Sequence, residues 1–274
     1  MLPVRRIWRW VALSLVSFAF CSVAYAQDNY EIQVYGSETV PSGDTMVELH
    51  SNFTVNGRKY PVDGLIPTNH AVHETLEITH GFNSWFETGF YVFTSINPGH
   101  GWQWVGDHIR PRVAVPESWH WPVGVSLSTE IGYQAREFSP DTWTWEIRPI
   151  VDKQYKRWYA AFNPAFERAL HGPGVNDGFG FSPNVKVSYD AVRWHSGGYD
   201  KKASFGLEYY GGFGTFPGFE SFYLQEQQFF PSVDLDVSPK WEINVGVGVG
   251  VTRSTDHLIL KGILGRRFSF HHHK

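Results

Sequence analysis

The sequence predicts an all-β fold, an antiparallel up-and-down transmembrane β-barrel of about 12 strands. Three observations carry this. Apolar and polar residues alternate over strand-length segments, no apolar run after Phe20 is long enough for a spanning helix, and tryptophans gather at the ends of the alternating segments.

The alternation is clearest over residues 123–134. Val123, Val125, Leu127, Thr129, Ile131 and Tyr133 interleave there with Gly124, Ser126, Ser128, Glu130, Gly132 and Gln134. Residues 241–252 repeat it, with Trp241, Ile243, Val245, Val247, Val249 and Val251 on one face and glycines and polar residues on the other. This period of two sets opposite faces in opposite environments, as a spanning strand requires. The same template marks strands at 45–55, 70–80, 85–95, 102–115, 142–153, 158–169, 181–192, 202–211, 229–237 and 257–268, an even total.

If both ends lie in the periplasm, connections on that side are 81–84, 116–121, 154–157, 193–201 and 238–240, with 193–201 the longest. The opposite side carries 56–69, 96–101, 135–141, 170–180, 212–228 and 253–256, mostly longer, as extracellular loops are. Trp102, Trp104, Trp119, Trp121, Trp143, Trp145, Trp158, Trp194 and Trp241 fall near strand ends, where amphipathic rings form girdles. A soluble β-sandwich would use the same rings as core, but its alternation rarely persists over so many strands of this length.

Before the first strand, Arg5, Arg6 and Arg9 precede an apolar run over 10–20 and then Ala24-Tyr25-Ala26, the pattern of a signal peptide cut before Gln27. The run is about 11 residues where a membrane anchor needs about 20. Lipid attachment at Cys21 is disfavoured by the bulky Phe20 before it. The expected organisation is a signal peptide at 1–26, a periplasmic N-terminal segment at 27–44, the barrel at 45–270 and a His-rich tail at 271–274.

Cleavage leaves 248 of 274 residues, and the 23 basic residues fall to 20 against 27 acids, a charge of −7. Nucleic acid is therefore not an expected partner. The one cysteine departs with the signal, which removes thiol chemistry and disulfides. Aromatic residues make up 17% of the chain and mean hydropathy is −0.29, unlike a helical membrane protein.

Charged side chains on a lipid face cost about 2–4 kcal/mol each for Arg or Lys near the midplane, so charges on the spanning strands belong inside. Strand by strand this places Glu48, Glu77, Glu87, Glu130, Glu146 and Asp152 inward. Glu167, Glu208, Asp234, Asp236 and Glu242 join them, with Arg110, Arg112, Arg148, Lys186, Lys261 and His50 on the same faces. Acids dominate. One reading is a solute path favouring cations or hydrogen-bond donors; the other is an ion-pair network filling a narrow barrel.

No catalytic group is expected. His195 and Ser196 are neighbours and point to opposite strand faces, so they cannot share a proton. His70, His73, His80, His100, His108 and His120 lack ligand spacing and read as loop and interface residues, so no metal site and no cofactor are expected. The Phe- and Gly-rich loop 212–228 either folds into the mouth to bind apolar solutes or rests its rings on the barrel rim.

Four stretches carry a family likeness: GWQWVGDHIRPRV (101–113), VPESWHWPVGVSLSTEIGYQ (115–134), WTWEIRPIVDK (143–153) and FPSVDLDVSPKWEINVGVGVGVT (230–252). They resemble bacterial outer-membrane proteins related to the MetA-pathway of phenol degradation family. The resemblance implies an outer-membrane barrel of transporter type, and it assigns no substrate and no residue role. The segment LGRRFSF (264–270) resembles the aromatic terminal signal of such barrels, although His271, His272, His273 and Lys274 follow it. Expected partners are outer-membrane lipid, the assembly machinery and small polar or aromatic solutes.

Overall fold

The computed structural model describes residues 30–269. The expected signal peptide and the His-rich tail lie outside them.

Twelve antiparallel strands form one closed sheet. They are β1 (Asp44–Asn56), β2 (Val72–Asn83), β3 (Phe86–Asn97), β4 (Gly101–Ala114), β5 (Gly124–Gln134) and β6 (Trp143–Tyr155), then β7 (Trp158–His171), β8 (Gly180–Ser196), β9 (Tyr199–Gly212), β10 (Glu226–Asp236), β11 (Trp241–Gly250) and β12 (Leu258–Ser269). Each expected strand is present with its ends moved by a few residues. Closure comes from β12 pairing with β1, from Asp44 opposite Ser269 to Thr54 opposite Ile259. A closed sheet leaves no edge and excludes the sandwich.

One connection differs in kind. The stretch 193–201, expected to be the longest on its side, is instead the tip of the β8–β9 hairpin, with Ser196 paired to Tyr199. Gly197 and Gly198 turn the chain with φ of 64° and 81°, the left-handed pair that matches the twist of flanking strands. Strand pairing breaks where prolines withhold an N–H: beside Pro111 in β4, between Pro149 and Pro164 in β6 and β7, and beside Pro231 in β10.

The alternation sorts side chains along the middle of the strands. Leu49, Ile78, Phe90, Ile109, Leu127, Phe162, Leu207, Val247 and Leu260 stand exposed around the outer surface. Rings of exposed tryptophan flank this belt, with Trp85, Trp119, Trp121, Trp158, Trp194 and Trp241 at the end holding both chain ends of the barrel and Trp102, Trp104 and Trp143 at the other. Loop residue Phe216 packs against Phe166 and Phe181, and Phe219 against Phe181 and Phe216, so these two rings of loop 212–228 rest on the barrel rim.

Face assignment alone suggests that a charge at Gly248 is milder than one at Val247, provided the bore has room. It has none there: a Cβ on Gly248 would meet the Phe230 ring at 2.2 Å, and Phe230 is fully buried inside the barrel. Val247→Lys should block assembly by placing a charge in the outer belt, about 2–4 kcal/mol. Gly248→Asp should also impair assembly, by overlap with Phe230. Added Phe230→Ala should relieve only the second variant, as read by the fraction of protein showing heat-modifiable gel migration.

Candidate functional site in the barrel interior

The inward faces carry charge arranged in pairs. Arg110 donates to Glu77 at 2.6 Å and Arg112 forms an ion pair with Glu87 at 2.6 Å, with Arg110 also 3.9 Å from Glu87. Farther round the ring, Arg148 Nε lies 2.7 Å from Glu146, and Glu130 lies 2.5 Å from His108. On the opposite wall Lys186 bridges Asp234 at 2.7 Å and Glu208 at 3.4 Å, while Lys261 also donates to Glu208. Glu48 stands directly across the sheet from Glu77, and His50 lies beside both. Asp152 accepts from Tyr159 and Ser37, Asp236 pairs with Lys202, and Glu167 faces a small cavity beside Glu146. Glu242 sits nearer the mouth and takes a hydrogen bond from Gln33 at 3.5 Å.

The segment before β1 contributes what strand reading omits. Residues 27–44 were expected in the periplasm, but Tyr30, Glu31, Ile32, Val34 and Tyr35 are buried inside the ring of strands. The reason is apolar cover. Ile32 and Val34 pack on an inward patch of Ala161, Tyr210, Phe230 and Ile259, and Tyr30 packs near Tyr91, Phe93 and Val105. Burying two such aliphatic side chains is worth about 1.5–3 kcal/mol each.

Polar contacts fix the register of this lead-in, residues 30–43. The fully buried Asn163 accepts from the Tyr35 N–H at 2.7 Å and donates to its carbonyl at 3.0 Å, as a neighbouring strand would. The Tyr35 ring lies between two guanidinium groups, 4.4 Å from Arg110 and 5.3 Å from Arg148. Arg112 donates to the carbonyls of Gly36 and Glu38, and the Val40 N–H donates to Glu87.

Two spaces flank the lead-in. A cavity of about 1720 Å³ opens at the end where the chain enters the barrel, lined by Lys186, Glu208, Asp234, Glu242 and Lys261. A cavity of about 100 Å³ lies toward the long loops, lined by Tyr30, Glu31, Glu130, Glu146 and Glu167. The lead-in runs between them.

Two histidines read as loop or interface residues lie inside instead. His108 shares the inward face of β4 with Arg110 and Arg112, and His73 stacks edge-on against Tyr30. Face assignment extended to neutral residues would have found both, and Asn163 with them. The alternation of Tyr30, Ile32 and Val34 was the available signal for the lead-in, but it is too short to pass as a spanning strand.

Fold and interior together define a closed antiparallel barrel whose charged lumen is crossed by its own chain. Solved structures share the architecture. An outer membrane channel from Pseudomonas putida F1 superposes with a TM-score of 0.55 at 10% identity, covering 87% of this chain and 100% of that one. The KdgM porin, solved in complex with disordered oligogalacturonate, gives 0.47 at 12% identity, covering 82% and 99%. The β domain of the Bordetella autotransporter BrkA gives 0.49 at 14% identity, covering 84% and 100%. At 10% identity the likeness to the Pseudomonas putida channel shows the fold alone. No family model and no curated sequence matches the chain, so the resemblance to the phenol-degradation group finds no support there.

Proposed function

We propose that this protein is an outer-membrane channel for small cationic or hydrogen-bond-donating solutes, closed at rest by its own lead-in. The carrying observation is the 1720 Å³ charged vestibule, walled by strand residues such as Lys186, Glu208 and Glu242 and bounded also by Gln33, Val34, Gly36, Ser37 and Glu38 of the lead-in. A barrel serving structure alone has no need of so large a polar space. The outer belt supports a lipid environment, since contiguous apolar surface of this extent is unfavourable in water. The terminal strand, with Phe268 outermost among its described aromatics, suits recognition by the assembly machinery.

The outer-membrane channel of similar fold supports a conducting role. A channel is favoured over an enzyme. The His195–Asp200 pair beside Ser196 sits exposed at a hairpin tip, and His195 and Ser196 point to opposite sides of the strand.

Selectivity is the test. Inward acids exceed inward bases, and acidic rings attract counter-ions most strongly at low salt. In planar-bilayer recordings of open events, cations should pass in preference to anions. Glu130→Gln with Glu146→Gln should weaken that preference, because both carboxylates line the cavity on the loop side. Anion preference would mean that Arg110, Arg112 and Arg148 dominate the path and would overturn the solute class.

A further inference from the structure

The layer where β1 meets β2 holds three buried ligand-type side chains that the ion pairs do not use up. Glu48 and His50 project inward two residues apart on β1, and Glu77 stands across the sheet from Glu48. One ligand atom from each lies within 4.8 Å of the others. All three residues are at most 6% exposed. Among the described residues, Glu48 Oε1, both ring nitrogens of His50 and Glu77 Oε2 are buried without a hydrogen-bond partner.

Orphaned atoms of this kind are costly, about 1–3 kcal/mol each and more when charged. Glu77 divides its work: Oε1 accepts from Arg110 and Thr79, both at 2.6 Å, which leaves Oε2 turned toward His50 at 3.5 Å. The charge of the layer is uneven as well. Arg110 and Arg112 stand against Glu48, Glu77 and Glu87, so one carboxyl of this buried layer has no arginine to match it.

We propose that Glu48, His50 and Glu77 bind a first-row divalent transition-metal ion, Zn²⁺ being the probe of choice. An imidazole with two carboxylates suits this class, whereas Mg²⁺ and Ca²⁺ favour oxygen donors alone. Metal–ligand bonds of about 2.0–2.2 Å fit the cluster once the side chains draw in slightly. Three protein ligands leave a position for water, which marks an exchangeable site rather than a closed structural one.

Access runs from the vestibule. Gly265 lies across the sheet from both Glu48 and Glu242, and a Cβ there would meet Met46 at 2.6 Å and Glu48 at 2.9 Å. Met46 and Glu242 line the vestibule and pack with Glu48 over Gly265, so the site lies directly behind the vestibule lining and an ion reaches it when the flexible Met46 side chain moves aside. The site stands whether or not the lumen conducts.

The test is isothermal titration of Zn²⁺ into metal-stripped protein in detergent. His271, His272 and His273 are removed from parent and variants alike, because three adjacent histidines bind zinc themselves. One site is expected, with affinity reduced at least about 100-fold by His50→Ala and by the isosteric Glu48→Gln. Heat-modifiable migration checks that each variant remains a barrel. Anomalous diffraction from zinc-soaked crystals of the parent should place the ion between Glu48, His50 and Glu77. Absence of binding by the parent, equal binding by the folded variants, or zinc located only at exposed groups such as His195 and Asp200 would each overturn the assignment.

Discussion

Replacing Arg110 with methionine should destabilise the folded barrel by about 3–5 kcal/mol, the cost of breaking a buried ion pair from one side. Arg110 is 2% exposed and donates to Glu77, while its guanidinium faces the rings of Tyr35 and Tyr91 at 4.4 and 5.2 Å. Methionine fills much of the volume but leaves Glu77 without its arginine, facing His50, while Glu87 keeps Arg112. The loss is therefore electrostatic more than steric. Adding Glu77→Gln to Arg110→Met should recover a large part of it, because the orphaned charge then disappears. Urea unfolding in detergent, followed by gel migration, reads both variants. A double variant no more stable than Arg110→Met would show that the Glu77–Arg110 pair is not what holds this layer together.

The barrel was legible because its signal is physical and repeated. A chain crossing lipid as strands must satisfy its backbone in a closed sheet and present one apolar face, and that requirement writes itself into 123–134 and 241–252 as strict alternation. The same rule placed Glu77, Arg110, Glu208 and Lys261 inside. It was silent on pairing between distant strands. That Lys261 of β12 meets Glu208 of β9, 53 residues earlier, depends on how far the side chains reach across the lumen. It also missed the lead-in, since Ile32 and Val34 satisfy no spanning pattern and are explained only by the patch of Phe230 and Ile259 that they cover. Gly248 failed for a related reason: the face was right, but the occupant of that face came from the neighbouring strand.

Removing residues 30–40 while leaving the sequence before them unchanged should convert the closed barrel into a conducting one. The strands would still close through β1 and β12, because the lead-in contributes none of their pairing. What disappears is the segment between the two cavities and the contacts that hold it there: the Asn163 pair to Tyr35, the Arg112 bonds to Gly36 and Glu38, and the apolar seat of Ile32 and Val34. Asn163→Leu should act in the same direction more weakly, since it strips both hydrogen bonds from Tyr35 but leaves the apolar seat intact. Single-channel conductance of the deletion variant beside the intact protein, both verified as barrels by heat-modifiable migration, tests the account most directly. The intact protein should be silent apart from rare brief openings, and the deletion variant should conduct steadily. A folded deletion variant as silent as its parent, or an intact protein that already conducts as well as the variant, would contradict it.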